Sequence, residues 1–198
     1  MIRRLLLRSA VLAVLAAVAL GACQSRPATA AYVGDTRIPL SRIDELTREA
    51  AADPLSASLV ERFPSEARTQ IVQTVVQTEV LRRAAALEGL SVSAGDIARM
   101  RRAIGPQRGL LQAAEKVVPL DELAANQAYL SAFQERISAG TTSQEQAQAR
   151  ATAIIARTVE RYPVTLNPRF GAFDPAALAI VPRLGAAVRP LPSASVAP

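Results

Sequence analysis

A mainly helical domain, closed by a small β pairing between its N- and C-terminal strands, is the fold class this sequence predicts. Three observations carry that expectation. Aromatic residues make up only 4% of the 198 positions and tryptophan is absent, while alanine, leucine, valine, isoleucine, arginine and glutamine dominate; such a vocabulary suits helices far better than sheets. Apolar residues recur at spacings of three and four through long stretches free of proline and glycine. The two segments with strand character stand at opposite ends of the helical region, at 31–38 and 164–166, where each can satisfy the other's backbone groups.

The composition also excludes much chemistry. Half the residues are hydrophobic and 20% are charged, which fits one domain with appendages. With no histidine and a single cysteine, the chain cannot assemble a Ser-His-Asp triad, a Cys-His pair, an intramolecular disulfide or a Cys/His zinc site. No glycine-rich phosphate-binding loop is present, and no cofactor is expected.

Arg3, Arg4 and Arg8 precede an uncharged run from Ala10 to Leu20, the pattern of a secretory signal. The run is too short to span a bilayer permanently. Behind it stands Leu20-Gly21-Ala22-Cys23, which resembles the lipobox of bacterial lipoproteins. The resemblance implies a signal peptide over residues 1–22, cleavage before Cys23 and a diacylglyceryl group on the Cys23 sulfur. Two acyl chains hold a protein stably where one is marginal, so the expected location is extracytoplasmic, on a membrane. The alternative is an ordinary secretory signal cut after Ala28-Thr29-Ala30, with Cys23 discarded. The residues around Arg3-Arg4 do not follow the twin-arginine pattern, so general export is expected.

Without residues 1–22, three arginines fewer, the chain keeps 20 basic residues against 17 acidic ones, a net charge of +3. The sequence pI of about 10.6 therefore overstates the basic character. No basic stripe interleaved with aromatics occurs, and a nucleic-acid partner is not expected.

Residues 23–30 read as a polar tether, 31–174 as the folded domain, and 175–198, with Pro175, Pro182, Pro190, Pro192 and Pro198, as a flexible proline-rich tail. Within the domain, 31–38 reads as a short strand turning at Gly34-Asp35. A helix follows, with Ser41 as its cap, Asp44 completing an acidic capping box, and Ile43, Leu46 and Ala50 on one face. The strongest helix runs from about Ser65 to Leu87, between Pro64 and Gly89, with Ile71, Val72, Val75, Val76, Val80, Leu81, Ala84 and Ala85 inward. Its other face, Gln70, Gln73, Thr74, Gln77 and Arg83, reads as solvated, with a peptide-contact surface as the alternative.

Ser93 and Asp96 form a cap for the next helix, which carries Ile97, Met100 and Ile104 and ends at Gly105-Pro106. A shorter helical piece is expected in 107–117. Leu120, Leu123, Asn126, Leu130, Phe133 and Ile137 then define a helix from about Pro119 to Ser138. After Gly140-Thr141-Thr142 a last helix spans about Ser143 to Arg161, stopped by Tyr162-Pro163. The strand Val164-Thr165-Leu166 and the run Asn167-Pro168-Arg169-Phe170-Gly171 close the domain.

Val33-Gly34-Asp35-x-x-Ile38 before a helix, the long helix running into Glu88-Gly89-Leu90-Ser91-Val92-Ser93, and Asn167-Pro168-Arg169-Phe170-Gly171 near the end together resemble the N-terminal chaperone module of the SurA/PrsA family of extracytoplasmic folding factors. The resemblance implies that the first strand and the strand after the final helix lie together. It also implies a parvulin-type prolyl isomerase domain inserted just ahead of the final helix. Here that point is Ala139-Gly140-Thr141-Thr142, a tight turn, and the histidines common in parvulin sites are missing.

The expected function is thus that of a lipid-anchored, non-enzymatic holdase for partly unfolded exported polypeptides. A holdase needs accessible apolar surface with low geometric demand, and Met100, Leu130, Phe133 and the valine-rich helix are the candidates. The alternative is a structural or assembly lipoprotein with one dedicated envelope partner. Catalysis by Asp44-Glu45 or Asp121-Glu122 is not expected, because adjacent residues on a helix do not face one site and acidic pairs at helix starts are explained by the helix dipole.

Overall fold

In the computed structural model, which describes residues 28–182, the chain begins with a hairpin of β1 (Thr29–Val33) and β2 (Thr36–Pro39). Gly34 takes φ 59° in the two-residue turn, the left-handed geometry that lets hairpin strands keep their twist. A Cβ there would also meet Tyr162 Cδ1 at 2.9 Å. The expected strand is therefore a hairpin, and it starts earlier than the sequence boundary: Thr29 and Ala30, assigned to the tether, are buried residues of β1. The segment read as a signal peptide and Cys23 lie outside the described residues, as do residues 183–198 of the expected tail.

Helix α1 (Leu40–Ala52) follows β2 without a break. The Ser41–Asp44 capping box does not form. Pro39, in extended conformation, is the N-cap and makes no side-chain cap bond, the Leu40 N–H donates to the Ala28 carbonyl (2.9 Å), and the Asp44 carboxylate pairs with Arg68. With the strand feeding directly into the helix, its end is anchored through the backbone and Ser41 has no cap position to fill.

A short helix, α2 (Ala57–Arg62), then precedes the long α3 (Pro64–Leu87). Proline at the first turn of α3 costs no hydrogen bond. At the other end Gly89 takes φ 70°, the Leu90 N–H donates to the Ala85 carbonyl and the Gly89 N–H to the Ala86 carbonyl, which together make a Schellman stop. The expected apolar face of α3 is in the core. The expected solvated face is not solvated: Thr74 is buried and Gln70, Gln73, Gln77 and Arg83 are half-buried. Other elements cover α3 on that side as well, so it is the central post of the domain.

Ser93 and Asp96 form the expected capping box of α4 (Ala94–Ile104). A 3-10 turn (Gly105–Leu110) and the short α5 (Ala113–Lys116) occupy the next stretch. Arg108 pins it: its guanidinium pairs with Asp53 and donates to the carbonyls of Lys116 (3.3 Å) and Val118 (3.2 Å). Then come α6 (Leu120–Ser138) and α7 (Gln144–Arg161), the latter capped by Ser143 Oγ accepting from the Gln146 N–H (3.2 Å).

The chain closes with β3 (Val164–Leu166), a 3-10 turn (Pro168–Phe170), and a second hairpin of β4 (Ala172–Asp174) and β5 (Ala179–Val181). The first sheet is antiparallel with order β2-β1-β3, Ala31 opposite Leu166 and Val33 opposite Val164, so the two ends of the domain pair as expected. The second hairpin is a correction. Residues 175–182 are not a free tail, because β5 pairs with β4 in register and packs on α3.

An ionic cluster locks the first hairpin to α3. Arg83 donates to Asp35 Oδ1 and Thr36 Oγ1 (2.6 Å each) and to Glu79 Oε1 (3.1 Å), and lies 4.6 Å from the centroid of the Tyr162 ring. Burial pushes the Glu79 carboxyl up, but hydrogen bonds from Arg82, Thr36 and Arg83 outweigh it and hold the group below its ordinary value.

Candidate functional site

A cleft of about 280 Å³ with a mainly apolar lining is bounded by α6, α7 and the β4–β5 turn. Residues repeating at three and four along α6 place Leu130, Phe133 and Ile137 on one wall, and the same spacing on α7 places Ala147, Ala151 and Ile155 on the other. Leu81 of α3 joins them at the bottom, and Pro175, Ala176 and Leu178 form the third wall. The rim is polar and neutral: Gln134, Ser138, Gln144, Gln148 and Thr152. Among the described residues, none that lines the cleft is charged.

The third wall is held under tension. Leu178 adopts φ 49°, a left-handed conformation that costs a non-glycine residue about 1–2 kcal/mol. Two contacts stabilise it: the Gln77 side-chain amide donates to the Leu178 carbonyl (2.9 Å), and the Leu178 side chain packs against the core. Asp174 Oδ1 orders the preceding turn by accepting from the Ala176 N–H (2.9 Å).

The candidate residues Met100, Leu130 and Phe133 are not in one place. Leu130 stands on the wall of the cleft and is half-buried. Phe133 is only 4% exposed and belongs to the floor, where it supports the wall and offers little surface to a ligand. Met100 lines a different hollow of about 420 Å³ between α4 and the opposite side of α6, with Ala103, Ala128, Ala132, Asp96, Arg99 and Glu135. Sequence reasoning missed the β4–β5 turn and the glutamines of α7 altogether; the Asp174-Pro175 step was the available turn signal.

The adjacent carboxylates Asp44-Glu45 and Asp121-Glu122 are each engaged by arginine. Arg42 pairs with both Glu45 and Glu122, Arg68 with Asp44, and Arg101 with Asp121. Apart from Arg42–Glu45, which lies within α1, these bonds tie helices to one another across the surface. Among the described residues, no group of three His, Cys, Asp or Glu side chains stands close enough to hold a metal ion.

No family model, curated protein or solved structure matches this chain. The cleft's functional meaning therefore rests on its own chemistry. It offers apolar contact, amide and hydroxyl groups that can both donate and accept, and no fixed charge to select or repel.

Proposed function

We propose that the chain is a lipid-anchored, extracytoplasmic, non-enzymatic holdase that binds partly unfolded exported polypeptides, on a SurA-like chaperone fold without a prolyl isomerase domain. The observation that carries this reading is the uncharged cleft between α6 and α7. Unfolded chains share two things, apolar side chains and unpaired backbone N–H and C=O groups, and no common charge. Half-buried walls of Leu130, Ala147, Ala151 and Leu178 under a rim of glutamines meet both shared features and are indifferent to the rest. At about 280 Å³ it exceeds the roughly 150 Å³ of a cavity that takes benzene, so it admits one large side chain or two smaller ones.

Two further features support parts of the proposal. Cleavage after Ala30 would remove Thr29 and Ala30 from β1, both buried, with carbonyls that accept from Asn167 Nδ2 (3.0 Å) and the Asn167 N–H (2.8 Å). Cleavage before Cys23 leaves β1 whole. The short turn from α6 to α7, with Thr142 bonded to Gln146 Oε1, leaves no room for an inserted domain.

The test is suppression of aggregation. The chain from Cys23 onward is expected to keep several chemically denatured clients in solution without nucleotide, and to do so equally at high salt, because apolar burial is not screened. Thr152→Arg, at an exposed rim position, should weaken that activity by placing a charge at the mouth. No effect on any client, together with saturable binding to one envelope protein, would replace the holdase by a dedicated assembly lipoprotein. The anchor has its own test: Cys23→Ser should release the protein from membranes or block its processing, and an unmodified mature chain starting at Ala31 would refute it.

A further inference from the structure

Strand β5 leaves the domain on a defined heading. It runs along α3 against the helix direction: Gln77 Nε2 donates to the Leu178 carbonyl (2.9 Å), and one turn earlier Gln73 Oε1 accepts from the Ile180 N–H (3.4 Å). A helical turn of about 5.4 Å nearly matches two strand residues of about 6.6 Å, so each turn of α3 serves every second residue of the strand. The Leu178 and Ile180 side chains pack against the core, whereas Val181, on the other face, is exposed.

Carried two residues further, the same register sets Pro182 beside Gln70. Gln70 is half-buried, and its side-chain amide has no hydrogen-bond partner among the described residues. Proline has no N–H to give, but its carbonyl can accept as the Leu178 carbonyl does from Gln77. Two residues beyond Pro182, on the face of Leu178 and Ile180, comes Leu184. In an extended chain it lies about 13 Å past Ile180, a distance of about nine helical residues from Gln73, and so level with Pro64 at the start of α3. At that level opens a pocket of about 210 Å³, lined mainly by Leu59, Phe63, Ala67, Gln70, Ala113 and Val117. Ala67 and Val117 are buried, while the Phe63 ring is left 47% exposed.

We propose that this pocket is the docking site of the chain's own continuation past β5, with Leu184 seated against Phe63 and the Gln70 amide donating to the Pro182 carbonyl. The heading of β5 and the sixteen residues that follow it, 183–198, supply an occupant already at the mouth, with no association step to complete. The consequence reaches the α6–α7 cleft. β4 and β5 carry the turn that forms its third wall, so a docked Leu184 ties down the free end of the strand that holds this wall. The inference concerns the domain's own closure and does not depend on the holdase reading.

The experiment is a double-mutant cycle in urea unfolding of the chain from Cys23 onward. Leu184→Ala is expected to raise the unfolding equilibrium constant about tenfold, whereas Leu191→Ala, further along the same segment, should leave it unchanged. Phe63→Ala should cost at least about threefold less in the Leu184→Ala background than in the parent chain, because the contact it removes is already lost. Additive effects, or a Leu184→Ala no more harmful than Leu191→Ala, overturn the proposal. Hydrogen exchange on the same chain gives a second readout. Amides of residues 183–186 should exchange at least about tenfold more slowly than those of 193–198, and Leu184→Asp should abolish that difference and speed exchange in 175–181 while α4 keeps its protection. Equal exchange along the whole of 183–198 overturns the docking. Protection that rises with protein concentration in step with a dimer identifies a second copy as the occupant and overturns it as well. Aggregation suppression enters none of these measurements, so the holdase stands or falls separately.

Discussion

The two sides of α6 are lined by residues of opposite character although they belong to one helix. Toward α7 stand Leu130, Phe133 and Ile137 in a hollow without charge; toward α4 stand Ala128, Ala132 and Glu135, facing Met100 and the Asp96–Arg99 ion pair. The charged hollow is the larger, about 420 against 280 Å³. Size therefore does not mark the apolar site. The α4 side is open because its residues are small, and small residues leave space without offering much apolar contact. The α7 side is open because a strained turn, Pro175 to Leu178, stands off as a third wall.

The largest effect expected from this contrast is on stability. Phe133→Ala removes a buried ring and should cost about 3–5 kcal/mol in urea unfolding, whereas Met100→Ala, at a half-buried side chain, should cost about 1 kcal/mol. Equal losses would erase the distinction between a floor and a rim. Next in size, Gln77→Ala leaves the Leu178 carbonyl without its donor. It should cost about 1–1.5 kcal/mol and speed amide exchange in residues 175–181, with α4 unaffected. Ser93→Ala acts only on the other side: loss of the cap should cost about 1 kcal/mol and fray the first turn of α4 without moving the β4–β5 turn.

Acid should separate the two sides most finely. Hydrogen bonds from the Ser93 hydroxyl and N–H hold the Asp96 carboxyl below its ordinary value of 3.8. A lowered folded-state value means that the cap's contribution is complete above 3.8 and is lost as pH falls through the lowered value. Amide protection in the first turn of α4 should therefore persist at pH 5 and fall only in stronger acid. Among the described residues the α7 side has no titratable lining group, and it should show no local change. Loss of α4 protection near pH 6 would contradict this account.

Much of the fold was legible because helices announce themselves locally. Pro64, Gly89, Ser93 with Asp96, and Ser143 each act within a few residues of themselves, and the helix ends they mark are where the sequence puts them. What the sequence could not deliver depends on partners far along the chain. Ser41 carries the local signature of a cap, but the strand before it runs straight into the helix. Helix α2 is too short to show a period and lies between Pro54 and Pro64. The glutamine face of α3 reads as solvated because the strand that covers it, Ala179–Val181, sits in a stretch with no helical or alternating pattern. The site suffered likewise: a stripe through Leu130 and Phe133 identifies one face of α6, but nothing local says that Met100 meets the other.

The central position of β1 sets an order on assembly. Its first edge is satisfied by β2 across a two-residue turn, but its second waits for β3, and Asn167 reaches back to Thr29 over 138 positions. Closing so long a loop carries an entropic cost that must be met before the contact repays it, and topologies dominated by distant pairings fold slowly. A chain delivered N-terminus first would form its hairpin and helices early and still present an open strand edge until Val164–Leu166 arrived. Such an edge is itself a template for unwanted pairing, so a domain of this topology that folds N-terminus first passes through the kind of exposed state that a holdase protects.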